Sequence, residues 1–237
     1  MMQKKFIAAR WEKLLIANYT CDPHILEPFL PAGTETDLFN DTCLVSLVAF
    51  QFLDTRVLGI RFPWHTNFVE VNLRFYVKRY DNGKWKRGVV FIKEIVPRVM
   101  ISFIANTFFN EHYDTMKTGF AIAEKNAHSS LQYYWGKNNF FSCKAGNSAM
   151  PFSAGSLEEF ITEHYWGYAQ INTQSSMEYG VEHPQWKLFP VKEYSVQCHF
   201  RQLYGDSFAF LDDAAPHSVL LAEGSDVIVR RGIEIHP

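Results

Sequence analysis

At 237 residues, 47% hydrophobic and 20% charged, the chain can bury a sizeable core and does not read as disordered. Its net charge of −2 with histidines neutral gives no electrostatic pull toward nucleic acid or an anionic membrane surface. No apolar run reaches the ~18 residues that a membrane-spanning helix needs.

Aromatic residues make up 16% of the chain, and 21 residues are phenylalanine, which suits β-rich packing or an aromatic-lined pocket. Near the N-terminus the apolar patch before Arg10 is too short for a secretory leader. Cys21, Cys43, Cys143 and Cys198 form no C-x-x-C pair, so they read as free thiols of a cytoplasmic protein.

Trp11 to Asn18 reads as a first strand. Asp22-Pro23 then caps and starts a short helix, with Pro at its first position. Thr36 to Phe39 and Cys43 to Phe52 read as strands around the turn at Asn40-Asp41. The second of these is apolar on both faces, as a buried strand is. Asp54 to Asn67 is a loop carrying Trp64 and His65.

From Phe68 to Val77 the alternation is unbroken. Val69, Val71, Leu73, Phe75 and Val77 fall on one side, and Glu70, Asn72, Arg74 and Tyr76 on the other. This period of two is a β-strand with one apolar and one polar face. At a rise of ~3.3 Å per residue, Glu70 and Asn72 lie about 7 Å apart and Glu70 and Arg74 about 13 Å. The polar face either meets solvent and neighbouring charges or lines a cleft, and the strand itself does not decide between these. Asp81-Asn82-Gly83 signals a hairpin into a second strand, Trp85 to Ile95.

After Pro97, the spacing of Val99, Met100, Phe103, Ile104 and Phe108 predicts an amphipathic helix to about Phe109. Asn106 and the run Asn110-Glu111-His112-Tyr113 close that helix, either as caps for its carbonyls or as a polar rim on a pocket. Met116 to Lys125 reads as a strand, followed by short strands to about residue 155. Ser156-Leu-Glu-Glu159 is a capping box for a helix to about His164, where the imidazole suits the negative end of the helix dipole. Tyr165 to Ile171, Tyr179 to Leu188, Tyr194 to Leu203, Val219 to Ala222 and Asp226 to Ile235 read as strands. With no internal repeat or linker, residues 1–237 read as a single antiparallel, mainly β domain of the α+β class, with two or three helices.

No G-x-S-x-G elbow, P-loop, G-x-G-x-x-G, H-E-x-x-H or EF-hand loop is present, so the sequence implies no cofactor. None of the nine histidines forms an i, i+4 pair, which leaves a metal site only as an assembly from separate strands. Lys93 and Lys117 are the lysines nearest the candidate elements; buried, either could form a Schiff base, while exposed they are ordinary surface lysines.

Several stretches together resemble one family: Trp11-Glu-Lys-Leu-Leu-Ile, Leu30-Pro-Ala-Gly, Asp37, Val45-Ser-Leu-Val-Ala-Phe, the Glu70 strand, Gly88-Val-Val-Phe, Asn106-Thr-Phe-Phe-Asn-Glu-His-Tyr, Glu158-Glu-Phe-Ile-Thr-Glu-His-Tyr-Trp-Gly-Tyr and Val181-Glu-His-Pro-Gln-Trp. In that order, over nearly the whole chain, they resemble the YqjF-like family, the domain of unknown function 2071. That family is similar in fold to acetoacetate decarboxylase, an antiparallel β-barrel or cone around a cavity with flanking helices.

The resemblance implies that the polar face of the Glu70 strand points into the cavity, with Glu70 at the position of an active-site glutamate. It implies a departure as well. Where the decarboxylase carries paired lysines, this chain reads Asn110-Glu-His-Tyr-Asp-Thr-Met-Lys117. A gap-free alignment places Thr115 and Met116 at the lysine positions, and anchoring on the proline places Tyr113 there. Lys117 falls late, which in a strand displaces its direction.

The expectation is therefore a cytoplasmic protein whose cavity binds a small carbonyl or carboxylate compound. Glu70, His112 and Tyr113 would supply acid–base groups, with Asn72, Arg74, Asn106, Lys117, Trp64 and His65 around the ligand. Lyase-like chemistry would proceed without the Schiff-base lysine. The alternative is a structural or interaction module with a packed aromatic interior. No metal, nucleic acid or membrane is expected as a partner, and a homo-oligomer is compatible with the sequence.

Overall fold

The computed structural model describes residues 4–62, 66–97, 112–125 and 128–237. The first strands are β1 (Lys5–Thr20), β2 (Glu35–Thr36), β3 (Leu44–Val57), β4 (Phe68–Asp81), β5 (Lys84–Val96) and β6 (Tyr113–Thr115). Next come β7 (Thr118–Lys125), β8 (His128–Trp135), β9 (Asn139–Gly146) and helix α1 (Leu157–Thr162). The chain continues through β10 (Trp166–Gln170), β11 (Ser176–Glu182), β12 (Leu188–Phe189) and β13 (Val191–Gln197). It ends with helix α2 (Phe200–Tyr204), β14 (Ser218–Arg230) and β15 (Ile233–Ile235). Beyond Pro97 itself, the helix expected up to Phe109 lies outside the described residues, as do Trp64, His65 and Asn106.

The larger sheet runs β14-β1-β3-β4-β5-β10-β11, and β11 pairs back onto β14, so these seven strands close into a cone-like ring. The ring is not purely antiparallel, as the sequence suggested. β10 lies parallel to β5, pairing Trp166 with Gly88 and Gly167 with Val89. A second sheet, β13-β9-β8-β7, is antiparallel throughout.

Two apolar clusters explain why the ring strands are buried on both faces. The inner cluster takes Leu14, Ile16, Val48, Phe50, Tyr76, Val89, Tyr179, Val181, Ala222 and Val229 from the ring, and Phe160 and Ile161 from α1. The outer cluster takes the alternate residues Leu15, Ala17, Leu47, Ala49, Val71, Leu73 and Phe75. It packs them against Leu131, Tyr133, Trp135 and Phe141 of the second sheet and Phe200, Leu203 and Phe208 near α2. The apolar run of β3 is thus a strand between two hydrophobic layers.

The β4 register follows from the same pattern. Its apolar residues face the outer cluster, and each large one buried there contributes about 1.5–3 kcal/mol. A one-residue slip would put Glu70, Asn72 and Arg74 into that cluster, where their polar groups would lose their partners. The β4–β5 turn has Asn82 at φ +49° and Gly83 at φ +81°, the left-handed pair of a two-residue hairpin.

Around α1, Ser156 Oγ accepts from the Glu159 amide at 3.3 Å, and Glu159 Oε2 accepts from the Gly155 amide at 2.6 Å. The expected Ser156 cap forms, but Glu159 reaches back to the Gly155 amide rather than to that of Ser156, and the helix stops at Thr162. Elsewhere the strand expected over Tyr194 to Leu203 gives way to α2 from Phe200. The two strands expected between Val219 and Ile235 are largely one, β14.

Candidate functional site

The ring encloses a cavity in which the centre of a water-sized molecule has about 90 Å³ to move. At ~10–15 Å³ per water this holds roughly six to nine waters, or a small organic molecule with a similar number of heavy atoms. Trp11, Phe50, Phe52, Phe91, Trp166, Tyr179 and Trp186 supply its aromatic walls. Glu70, Asn72, Arg74, Glu94, Thr162, His164 and His183 supply its polar groups.

The polar face of β4 therefore points inward. Glu70 and Asn72 are 2% and 1% exposed, although both are polar. Their side chains lean together, and Asn72 Nδ2 donates to Glu70 Oε1 at 3.0 Å. A carboxylate only accepts, so this bond fixes the amide orientation and turns Asn72 Oδ1 away. That oxygen is buried without a hydrogen-bond partner. Glu94 reaches the same cavity from β5, opposite Asn72 in the register.

Arg74 is half-buried, and its guanidinium lies 5.8 Å from the centre of the Tyr76 ring. No carboxylate among the described residues forms an ion pair with it, and its Nε is buried without a hydrogen-bond partner. A guanidinium with no carboxylate partner among the described residues has the donors to receive one.

Against the Tyr76 end of β4 packs the segment after α1, with the His164 and Tyr76 ring centres 4.8 Å apart. His164 Nε2 lies 3.3 Å from Asp37 Oδ2, which also accepts from Arg87 Nε at 2.6 Å. Burial pushes the His164 imidazole down to about 4, against the pull of its bond to Asp37, and the charges of Arg87 and Arg74 push the same way. Burial alone would raise Asp37, but bonds from His164 and Arg87 and the Arg87 charge hold its carboxyl below the usual range. His164 is therefore neutral, donates from Nε2 to Asp37, and leaves Nδ1 as a bare acceptor without a partner.

His183 stacks on Trp186 with ring centres 4.0 Å apart and is also pushed down to about 4, chiefly by burial. Beyond the cavity, Tyr76 Oη and Ser46 Oγ lie 2.7 Å apart, and Ser46 donates to Asn18 Oδ1 at 2.6 Å. This satisfied polar chain crosses β4, β3 and β1.

Among the residues singled out from sequence, the structure brings Glu70, Asn72 and Arg74 together. His112 and Lys117 are exposed and do not line the cavity. The His112 carbonyl accepts from the Glu94 amide at 2.9 Å, so this segment supports the wall through its backbone. Tyr113 pairs with Glu94 in the parallel β5–β6 ladder. Lys93 bonds Asp114 at 3.1 Å, outside the cavity lining. Among the described residues no lysine lines the cavity. Among the described residues, too, no three His, Cys, Asp or Glu side chains are grouped as a metal site.

Sequence reading missed Asp37, Glu94, His164, His183, Trp11 and Trp186 as site residues. A signal was present: all but Glu94 fall within the stretches that carried the family resemblance.

A closed strand ring around a cavity that carries inward carboxylates defines the acetoacetate decarboxylase-like fold class. Solved structures of that class superimpose on the chain. The acetoacetate decarboxylase of Legionella pneumophila gives a TM-score of 0.66 at 12% identity, covering 98% of this chain and 88% of its own. An acetoacetate decarboxylase-like enzyme from Sphingomonas wittichii gives 0.63 at 14% identity, covering 98% and 94%. The enduracididine biosynthesis enzyme MppR complexed with pyruvate gives 0.65 at 10% identity, covering 99% and 91%. At these identities the likeness establishes the fold alone. No curated protein matches the sequence. The chain belongs to the family DUF2071, described as an uncharacterized conserved protein, whose model matches residues 8–226.

Proposed function

We propose that the cavity binds a small organic carboxylate or carbonyl compound and that Arg74 is its anchor. The observation that carries this reading is a half-buried guanidinium without a carboxylate partner among the described residues, lining the cavity with Glu70 and Asn72. A structural neighbour, MppR, holds pyruvate, which supports a ligand of this size and charge for the fold class.

Any turnover proceeds by acid–base chemistry, with Glu70 as base or orienting group. Imine formation is not part of the reading, because no lysine among the described residues lines the cavity.

Two measurements test it. Calorimetric titration with small monocarboxylates is expected to show binding that falls at least tenfold in Arg74→Met. Binding that survives this substitution would remove Arg74 as the anchor. Borohydride reduction with β-keto acids, followed by intact-mass measurement, is expected to leave the protein mass unchanged. A lysine adduct would overturn the exclusion of Schiff-base chemistry.

A further inference from the structure

We propose that Cys21 and Cys43 form a peroxide-sensitive modification site, two thiols that close reversibly into a disulfide beside the β1–β3 ladder and clamp the segment between them. Neither cysteine lines the cavity, so the proposal stands whatever the cavity binds.

The β1–β3 register pairs Thr20 with Leu44. One step further, the Cys21 amide donates to the Cys43 carbonyl at 3.1 Å, so the two cysteines face each other just past the ends of the strands. Facing residues of an antiparallel ladder have Cα atoms ~4.5–5.5 Å apart, within the ~4.4–6.8 Å that a disulfide spans. The sulfurs are 3.5 Å apart, with Cys21 Sγ donating to Cys43 Sγ. Both side chains lie on the outer cluster, Cys43 within it and Cys21 against it. Bonding therefore needs side-chain rotation and an approach of roughly 1.5 Å, and it leaves the ladder in place.

The bond from Cys21 holds the Cys43 thiol below its usual range, which favours the thiolate that attacks sulfur. Cys143 is placed differently. It lies between Leu131 and Tyr194 in the second sheet, and burial pushes its thiol up to about 11.

Peroxide suits the site by its size. Cys43 is 4% exposed and Cys21 is half-buried, and a molecule of two oxygens reaches them more readily than a bulky disulfide does. One thiol gives an electron pair to a peroxide oxygen, becomes a sulfenic acid and releases water. The sulfur of the second thiol attacks the sulfenic sulfur, and a second water leaves. Two thiols and one peroxide thus yield one disulfide and two waters, and a thiol reductant reverses the cross-link.

The cross-link closes a loop, since its ends are 22 positions apart in sequence. Within that loop Leu26 and Phe29 pack on the outer cluster, and Phe39 meets Phe160 of α1 with ring centres 5.4 Å apart. Asp37 on the same loop bonds both Arg87 and His164. Oxidation thus stiffens the segment that holds His164 by suppressing openings at the loop's base.

The test treats the intact protein with hydrogen peroxide. Free thiols are expected to fall from four to two, with a mass loss of about 2 Da and a peptide pair joining Cys21 to Cys43. Dithiothreitol is expected to restore all four. The oxidised protein is expected to melt at least about 5 °C higher, and the amides of residues 22–42 to exchange more slowly. Cys21→Ser is expected to abolish both the mass loss and the gain in melting temperature, and Cys43→Ala gives the same comparison should that variant not fold. Four free thiols after treatment, oxidation that stops at a sulfinic acid, or cross-links to other cysteines or between chains would overturn the proposal. A Cys21–Cys43 cross-link that lowers the melting temperature, or leaves exchange over residues 22–42 unchanged, would overturn the clamp.

Discussion

Glu70 and His164 are buried ionisable residues whose surroundings give different expectations for substitution. Glu70→Gln keeps an oxygen that can accept from Asn72 Nδ2, so the fold should change by less than about 1 kcal/mol, a shift of roughly 2–4 °C in melting temperature. Ligand affinity should change, because the amide presents an N–H where the carboxyl group accepts from Asn72 beside the ligand. Unchanged affinity in a titration calorimeter would take Glu70 out of the site.

His164 makes its prediction through pH. In the unfolded chain its imidazole takes up a proton near pH 6.5. In the folded chain, burial delays that uptake to about 4. Between these values the unfolded state holds the extra proton, so stability is fully present above pH 6.5 and is lost as pH falls toward 4. The full loss from this residue is on the order of 3 kcal/mol. Asp37, held low by its partners, adds a loss of the same sign at more acid pH. Urea unfolding from pH 7.5 to 4.5 should show this decline, and His164→Phe should reduce it, leaving the part that the equally buried His183 contributes. A stability that rises on acidification would contradict the neutral, buried imidazole.

At the scale of elements, the β5–β10 junction is a place where a small residue is required. A Cβ on Gly88 would stand 2.6 Å from the Trp166 carbonyl oxygen and 2.7 Å from the Tyr168 ring. Backbone cannot step aside as a flexible side chain can. Gly88→Ala should therefore cost about 1–3 kcal/mol in urea unfolding, whereas Gly155→Ala, with nothing within 4 Å but φ +75°, should cost only its local strain of about 1 kcal/mol. Equal costs at the two positions would mean that the strands can separate to admit the methyl.

The same scale shows what the sequence made legible. The alternation of Phe68 to Val77, the Asn82-Gly83 turn and the Ser156 cap are local signals with local causes, and each is found in place. Which face of β4 turns inward is not local. It depends on β8, β9 and α2 covering the other face, which no period within β4 records. His164 was legible as the end of a helix, but its bond to Asp37 joins residues 127 positions apart in sequence. Conversely, His112 and Lys117 drew attention by their place in the chain, and the β5–β6 ladder uses that segment's backbone while leaving both side chains exposed.

For the molecule as a whole, the β10–β11 hairpin joins the ring through very short seams. On one side it meets β5 at Trp166–Gly88 and Gly167–Val89; on the other it meets β14 at Val181–Val229 and Glu182–Ile228. A pair of bonds from Arg230 to Glu182, at 2.7 and 2.9 Å, pins the second seam at its exposed rim. By contrast, β1 is zipped to β3 and β14 along most of its length. In hydrogen–deuterium exchange the seam amides should therefore trade their protons well before those of β1, β3 and β4, since brief local opening takes the least-secured backbone first. This panel carries Trp166, Tyr179 and Val181 of the cavity wall. A molecule lodged inside would tie it to Arg74 on β4, so occupancy should be visible as slowed exchange in these two strands.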